Sequence, residues 1–455
     1  MGKSLALSYR YYSKLDDFMS ISKCGIKAAS PQVVLAMVGL IITLRMFYPG
    51  LISSDSVDQY EQGMSFIFSD WHPPIMSFIW AITNDWVPGP FGMLLLECSL
   101  YWGALLLLSI SIPKDHRRLS LAVIVVGFLP FTVGTLGHIW KDVLHAVIWL
   151  CAVGIICIGF SLDNGRRKKL FLLAGFLLFI GSMLRFNAIF GLFPLVWLLF
   201  NKSKILLWKK WLTIILIFPL CAISLNTFFN YGFLHSAKSR VYQSLIVFDI
   251  GGISHFSNKD YFQEDWNNNE KEQLLSTCYD AGAWDGYAWG PCSFVLKTLN
   301  TSGSWSDGSL MKKWIDAIYH EPAAYLKHRY ENYMRLLWRP NAVLIDQTAN
   351  NSLGFKYEKT GMFRALQVAT NSLDNTFIFK PGSWLIAAFL FSLYGFFARK
   401  SFAKDVLLAL NISSFLYLLA YFFVGVASDF RYAYWSILAT SASVPFILLS
   451  IKTKK

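Results

Sequence analysis

The chain has 455 residues, of which 55% are hydrophobic, 17% aromatic and only 15% charged, with a net charge of +13. This balance excludes an ordinary soluble domain, and the scatter of the basic residues in short clusters between apolar runs excludes a nucleic-acid-binding face. A polytopic membrane protein remains, and because lipid offers the backbone no hydrogen bonds, its spans are expected to be α-helices.

Residues 1 to 30 carry Lys3, Arg10, Lys14, Lys23 and Lys27 but no compact apolar core followed by a small-residue cleavage site, so the first span is expected to be retained as an anchor. Apolar runs follow at about 31 to 48, 91 to 112, 119 to 136, 143 to 161, 170 to 184, 188 to 200, 211 to 228, 383 to 398, 405 to 426 and 432 to 451. They predict about ten transmembrane helices. With the N-terminus in the cytoplasm, every second connection is basic: "PKDHRR" from 113, "NGRRKK" from 164, "NKSKILLWKK" from 201, "ARKSFAK" from 398 and the tail "KTKK". That is the positive-inside pattern. The runs flanking residue 185 are short, so that hairpin is the weakest crossing.

Three regions are expected: a transmembrane module over 1 to 228 with a first external loop at 49 to 90, a mixed, mainly helical external domain over 229 to 382, and C-terminal helices over 383 to 455. In the first loop, "SSDSVDQYEQG" places Asp55, Asp58 and Gln62 at i, i+3 and i+7, on one face of a helix. Two readings stand side by side: Asp55 caps that helix with Asp58 as its acidic third residue, or one carboxylate is a general base. His72, before two prolines, is either part of a rigid turn or a polar group of the same site.

The other tips on that side bring Lys141 and Asp142, Arg185, and Asp429 with Arg431. Charge near membrane depth is expensive and marks function by default, and the positive-inside bias disfavours cations there. Snorkelling to headgroups is the bland alternative for each cation. In the large loop, Asp307 can cap a helix and Pro322 can open a second, both with apolar stripes suited to packing. Only Cys278 and Cys292 of the seven cysteines lie in this loop; they are a disulfide pair if it faces an oxidising compartment, or two free thiols, and no spacing predicts a structural metal.

A carboxylate facing a cluster of cations suits a displacement at a sugar carbon that expels a phosphate. With those residues in place, "PGLISSDSVDQYEQG" followed by "DWHPPIMS" resembles the first external loop of GT-C glycosyltransferases, membrane enzymes that use polyprenyl-phosphate sugars. "HIWKDV" at 138, "LRFNAI" at 184, "FDIGGIS" at 248 and "DFRYAY" at 429 are similar to further short blocks of its bacterial branches. The resemblance implies an inverting transfer with Asp55, or secondly Asp58, as base, although the family often has adjacent acids where these lie three apart. It implies donor-phosphate contacts from Lys141, Arg185 and Arg431, and substrate contacts from Gln59, His72, Asp142, Asn187, Asp249, Asp429 and Tyr432. Some members bind a divalent metal and many do not.

By that analogy the donor is an undecaprenyl-phosphate sugar, with glucose first, and the acceptor a periplasmic glycan such as lipopolysaccharide O-antigen. The chain would lie in a bacterial inner membrane, both termini cytoplasmic and the large loop periplasmic. The alternatives are a transporter or flippase of lipid-linked saccharides, which predicts an internal repeat that is not evident, and a polymerase or ligase, which would not require the carboxylates of the first loop. An acyltransferase lacks a nucleophile and histidine pair in this sequence.

Overall fold

The structure, a computed structural model, describes residues 30–201, 206–340, 344 and 351–452. The N-terminal basic cluster, residues 202–205 of the third basic connection and the last three residues lie outside that set. Among the described residues there are helices, turns and isolated β-bridges but no strand.

Eleven of the helices cover the ten apolar runs, because the run at 119 to 136 is divided between two of them. The first half of the chain forms α1 Pro31–Phe47, α2 Ser54–Ser65, α3 Pro74–Trp86, α4 Phe91–Ser111, α5 Arg117–Val125, α6 Pro130–Leu136, α7 Lys141–Gly159, α8 Asn164–Met183, α9 Ala188–Phe200 and α10 Leu207–Phe233. The second half forms α11 Tyr242–Ser257, α12 Asn268–Ser276, α13 Phe294–Thr301, α14 Ser309–His320, α15 Pro322–Trp338, α16 Gly361–Leu373, α17 Pro381–Phe397, α18 Phe402–Leu419 and α19 Tyr434–Lys452.

Among the described residues, five stretches are long and apolar enough to cross a membrane: α4, α7, α10, Phe402–Val424 and Phe430–Lys452. A sixth is α5 with α6, bent by 53°. Pro130, which opens α6, has no N–H to continue the preceding helix. The chain is therefore a multi-pass helical membrane protein. The remaining apolar helices fall short of about 20 residues for definite reasons. Helices α1, α9 and α17 are simply shorter, and α8 spends its first turns on Arg166, Arg167, Lys168 and Lys169.

Helix α7 is the axis of the bundle. Nearly all its side chains are buried, because α4 and α8 pack along it and α19 crosses it. Helix α18 packs between α19, α9 and α17. By contrast α10 is buried over only 17% of its apolar length, and it turns Ile215, Leu220, Ile223 and Phe228 outward, as a lipid-facing helix would.

Helices α11 to α14 make a second core, centred on α11 and including Phe248, Phe262, Tyr287 and Leu299. Cys278 and Cys292 form a disulfide beside it, with Cα atoms 5.6 Å apart. Pro322 opens α15 as expected, but the N-cap of α14 is Gly308 rather than Asp307, which precedes it and accepts the Ser309 N–H at 2.7 Å. Helix α16 packs instead on α1 and α6, with Phe363 against Phe47, which ties the end of the large loop to the bundle.

Candidate functional site

The first external loop is stitched to the start of α7 by backbone. The Leu51 N–H donates to the Gly137 carbonyl and the Ile139 N–H to the Leu51 carbonyl, both at 2.9 Å. Gly50 makes the approach feasible: its φ is +123°, and a Cβ there would meet Ile139 at 2.7 Å. Ser56 then donates to the Ile139 carbonyl at 2.8 Å, and the Trp140 indole donates to Ser53 at 2.9 Å. These bonds fix the N-terminus of α2 against the N-terminus of α7.

Ser53 is the N-cap of α2, its N–H satisfied by the Ser56 hydroxyl at 3.1 Å. Asp55 is thus not the cap, and its carboxylate is directed elsewhere. It accepts a hydrogen bond from Arg431 at 2.9 Å and lies 3.9 Å from the Lys141 ammonium. Lys141 in turn donates to His72 Nδ1 at 2.7 Å. Arg431 also holds Asp429 at 3.1 Å and lies over the Trp140 ring, 4.8 Å from its centroid. Arg185 pairs with Asp142 at 3.1 Å, hydrogen-bonds the Tyr421 hydroxyl and sits 4.7 Å above the Tyr432 ring. Asp58 accepts from Gln62 at 2.7 Å and lies 3.9 Å from His72 Nε2.

Electrostatics separates the two acids of α2. Burial pushes the Asp55 carboxyl up, but the charges of Arg431 and Lys141 outweigh it and hold the group well below the usual carboxylate range. Asp58 is raised, first by burial and then by the charges of Glu61 and Asp55, against the opposing Gln62 hydrogen bond. Burial and the Lys141 charge pull His72 down to about 3, so it is neutral and its Nδ1 is free to accept from Lys141.

A cavity of about 590 Å³ opens beside this cluster. Lys141, Arg185 and Tyr432 line one end, Lys238 and Arg240 belong to its wall, and Asp70 is the lone carboxylate lining it. That carboxylate is already occupied by the Tyr231 hydroxyl and the Ser239 N–H. Asn187, Asn226 and Asn230 each present an amide atom that has no hydrogen-bond partner among the described residues. The cavity is therefore basic, largely apolar in its walls, and bordered by the end of the lipid-facing α10. Such a site suits a lipid that carries a phosphate.

Of the residues expected at the site, Asp55, Asp58, His72, Lys141, Asp142, Arg185, Asn187, Asp429, Arg431 and Tyr432 converge on this cluster and cavity. Gln59 is fully buried, with no hydrogen bond to its amide. Asp249 lies elsewhere: it is sealed in the second core, 2.6 Å from Arg329, 3.1 Å from His328 and 2.8 Å from the Trp314 indole. Lys238, Arg240 and Tyr421 were not anticipated. The first two did leave a signal, since "KSR" at 238 to 240 is a basic pair in the loop expected to be external, where the positive-inside bias disfavours one. Arg240 also has a φ of +56°, a conformation that side chains rarely adopt. Among the described residues, no three His, Cys, Asp or Glu side chains gather as a metal site.

No family model and no curated protein matches the chain. Three solved structures resemble it, all of an archaeal oligosaccharyltransferase from Archaeoglobus fulgidus. The apo form gives a TM-score of 0.42 at 12% identity, covering 93% of this chain and 51% of that one. The complex with an inhibitory peptide and a dolichol-phosphate gives 0.40 at 11% identity, covering 93% and 50%. The chain spans about half the length of these structures.

Proposed function

We propose that the protein is an inverting glycosyltransferase that moves a sugar from a polyprenyl phosphate to a glycan hydroxyl. The observation that carries this reading is the meeting of the Asp55 carboxylate with Arg431 and with Lys141, which itself lines a basic, mainly apolar cavity. In the reaction the acceptor oxygen attacks the anomeric carbon while the bond from that carbon to the phosphate oxygen breaks. The hydroxyl proton passes to Asp55, and the electron pair leaves with the polyprenyl phosphate, stabilised by Lys141, Arg185 and Arg431. Attack from the face opposite the phosphate inverts the centre.

Asp55 in the resting protein is a weak base, because Arg431 and Lys141 stabilise its ionised form. An incoming phosphodiester competes for those same donors. As they turn to the phosphate, Asp55 loses its partners, its proton affinity rises, and it becomes a base when the donor is present. Asp58, raised and half-exposed, is the second choice. The lipid tail would lie along the apolar wall toward α10.

The finer reading takes undecaprenyl-phosphate glucose as donor and lipopolysaccharide O-antigen as acceptor. It sets the chain in a bacterial inner membrane, crossing ten times, with the cluster and the 229 to 382 domain in the periplasm. The basic connections near residues 113, 164 and 398 support that orientation, since they all fall on the opposite side from the cluster. The test is transfer of labelled glucose by purified protein, with Asp55→Asn run alongside. Transfer that survives in the variant removes Asp55 as base; no transfer from any polyprenyl-phosphate sugar removes the reading and favours a carrier of lipid-linked saccharides.

A further inference from the structure

Three tryptophans stand together beside the ion-pair cluster. Trp71 precedes His72 and lines the cavity, and its ring centroid is 6.0 Å from that of Trp284 and 5.9 Å from that of Trp289. Trp284 and Trp289 are 5.4 Å apart. Backbone bonds pin this group over the site. The Trp284 N–H donates to the Val426 carbonyl, and the Ser428 N–H donates to the Gly282 carbonyl, each at 2.9 Å. The anchoring strand-like segment thus ends just before Asp429 and Arg431.

The three rings differ in exposure. Trp284 is buried, as a packing residue should be, whereas Trp289 leaves 64% of its surface open. Neither contact of Trp289 is a parallel stack, the interplanar angles being 84° and 75°. Asp285 lies exposed in the same turn. Its carboxyl is raised by partial shielding and then by the charges of Asp429 and Asp55.

We propose that Trp289, flanked by Trp71 and Asp285, is a carbohydrate platform that seats a neutral hexose ring of the acceptor glycan beside Asp55. This assignment rests on the transferase reading for its role, but not for its chemistry. The face of an indole is electron-rich and attracts the weakly positive C–H groups that line one side of a hexose ring. A carboxylate at the rim can accept hydrogen bonds from ring hydroxyls and disfavours an anionic sugar. An aromatic wall with few convergent polar groups is the usual make-up of a small-ligand site.

The test reads binding without turnover. Full-length protein in nanodiscs is mixed with maltohexaose, mannohexaose or chitohexaose, and magnetisation transfer from protein to the sugar C–H protons is followed by NMR. At least one hexaose should show transfer, reduced fivefold or more in Trp289→Ala and largely retained in Trp289→Phe, with the melting temperature unchanged. In the sugar-transfer assay the acceptor KM of Trp289→Ala should rise more than the donor KM. Silence from all three hexaoses, or signals equal in wild type and Trp289→Ala, overturns the platform and leaves the tryptophans as packing and interfacial anchors. A protein that binds a hexaose through Trp289 yet transfers no sugar refutes the transferase reading and keeps the platform.

Discussion

The protein holds two clusters of buried charge that look alike in sequence and differ in structure. Around Asp249, each partner is enclosed: Arg329 also donates to the Gly425 carbonyl, Trp314 donates its indole N–H, and burial keeps His328 neutral. One anion meets one cation, and Asp249, His328 and Arg329 are all fully buried. Around Asp55, the cations Lys141 and Arg185 line an open cavity, and Arg431 divides itself between two carboxylates. A sealed, neutral network specifies packing, whereas an ion-pair network on a cavity wall can exchange a carboxylate for a ligand's phosphate.

Substitutions can break this contrast. Asp55→Asn should lower kcat by about 10²- to 10⁴-fold, the usual range for a lost general base, while the melting curve stays in place. Turnover within threefold of wild type would end the distinction. Asp249→Asn should do the reverse. Leaving Arg329 buried without its anion costs about 3–5 kcal/mol, read as a large fall in melting temperature. Activity per folded molecule at low temperature should remain within about twofold, since Asp249 has no place at the cavity. Arg185→Ala should be milder. Losing a charge-assisted bond worth about 1.5–3 kcal/mol raises the donor KM by roughly 10- to 100-fold, with the acceptor KM nearly constant.

The same contrast shows what could be read without coordinates. Asp55, Lys141, Arg185 and Arg431 were legible because each interrupts or ends an apolar run on the side opposite the basic connections, and that pattern is one-dimensional. Asp249 carried a similar signal, a lone acid in an apolar stretch, but its partners Arg329 and His328 come from a helix about 80 residues later, which no local spacing reveals. The cavity wall was hidden for another reason. The apolar run seemed to end at 228, yet α10 continues through Asn230 and Tyr231 to Phe233 in a π-helical stretch whose Asn230 and Tyr231 line the same cavity as Arg185. Helix periodicity gave the elements, and only tertiary contact gave the wall.

The finest test of the contrast is pH dependence, because an exchangeable cluster should titrate differently when occupied. In the free protein, Arg431 and Lys141 hold Asp55 well below the ordinary carboxylate value of about 4. The acid limb of kcat/KM, which reports free protein, should therefore lie below that value, so that kcat/KM stays flat from about pH 7 down to about 4.5. A polyprenyl-phosphate sugar, the proposed donor, is a phosphodiester and does not titrate in this window. When its phosphate takes over Arg431 and Lys141, burial prevails on Asp55 and raises its carboxyl. The limb in kcat, which reports the complex, should then appear at higher pH than the limb in kcat/KM. If Asp58 is the base, kcat/KM itself falls above the ordinary carboxylate value, since burial already raises that group in the free protein, and Asp58→Asn rather than Asp55→Asn abolishes the limb. Coincident limbs in kcat and kcat/KM would mean that the donor leaves the Asp55 ion pairs intact, and that this cluster is as closed as the one around Asp249.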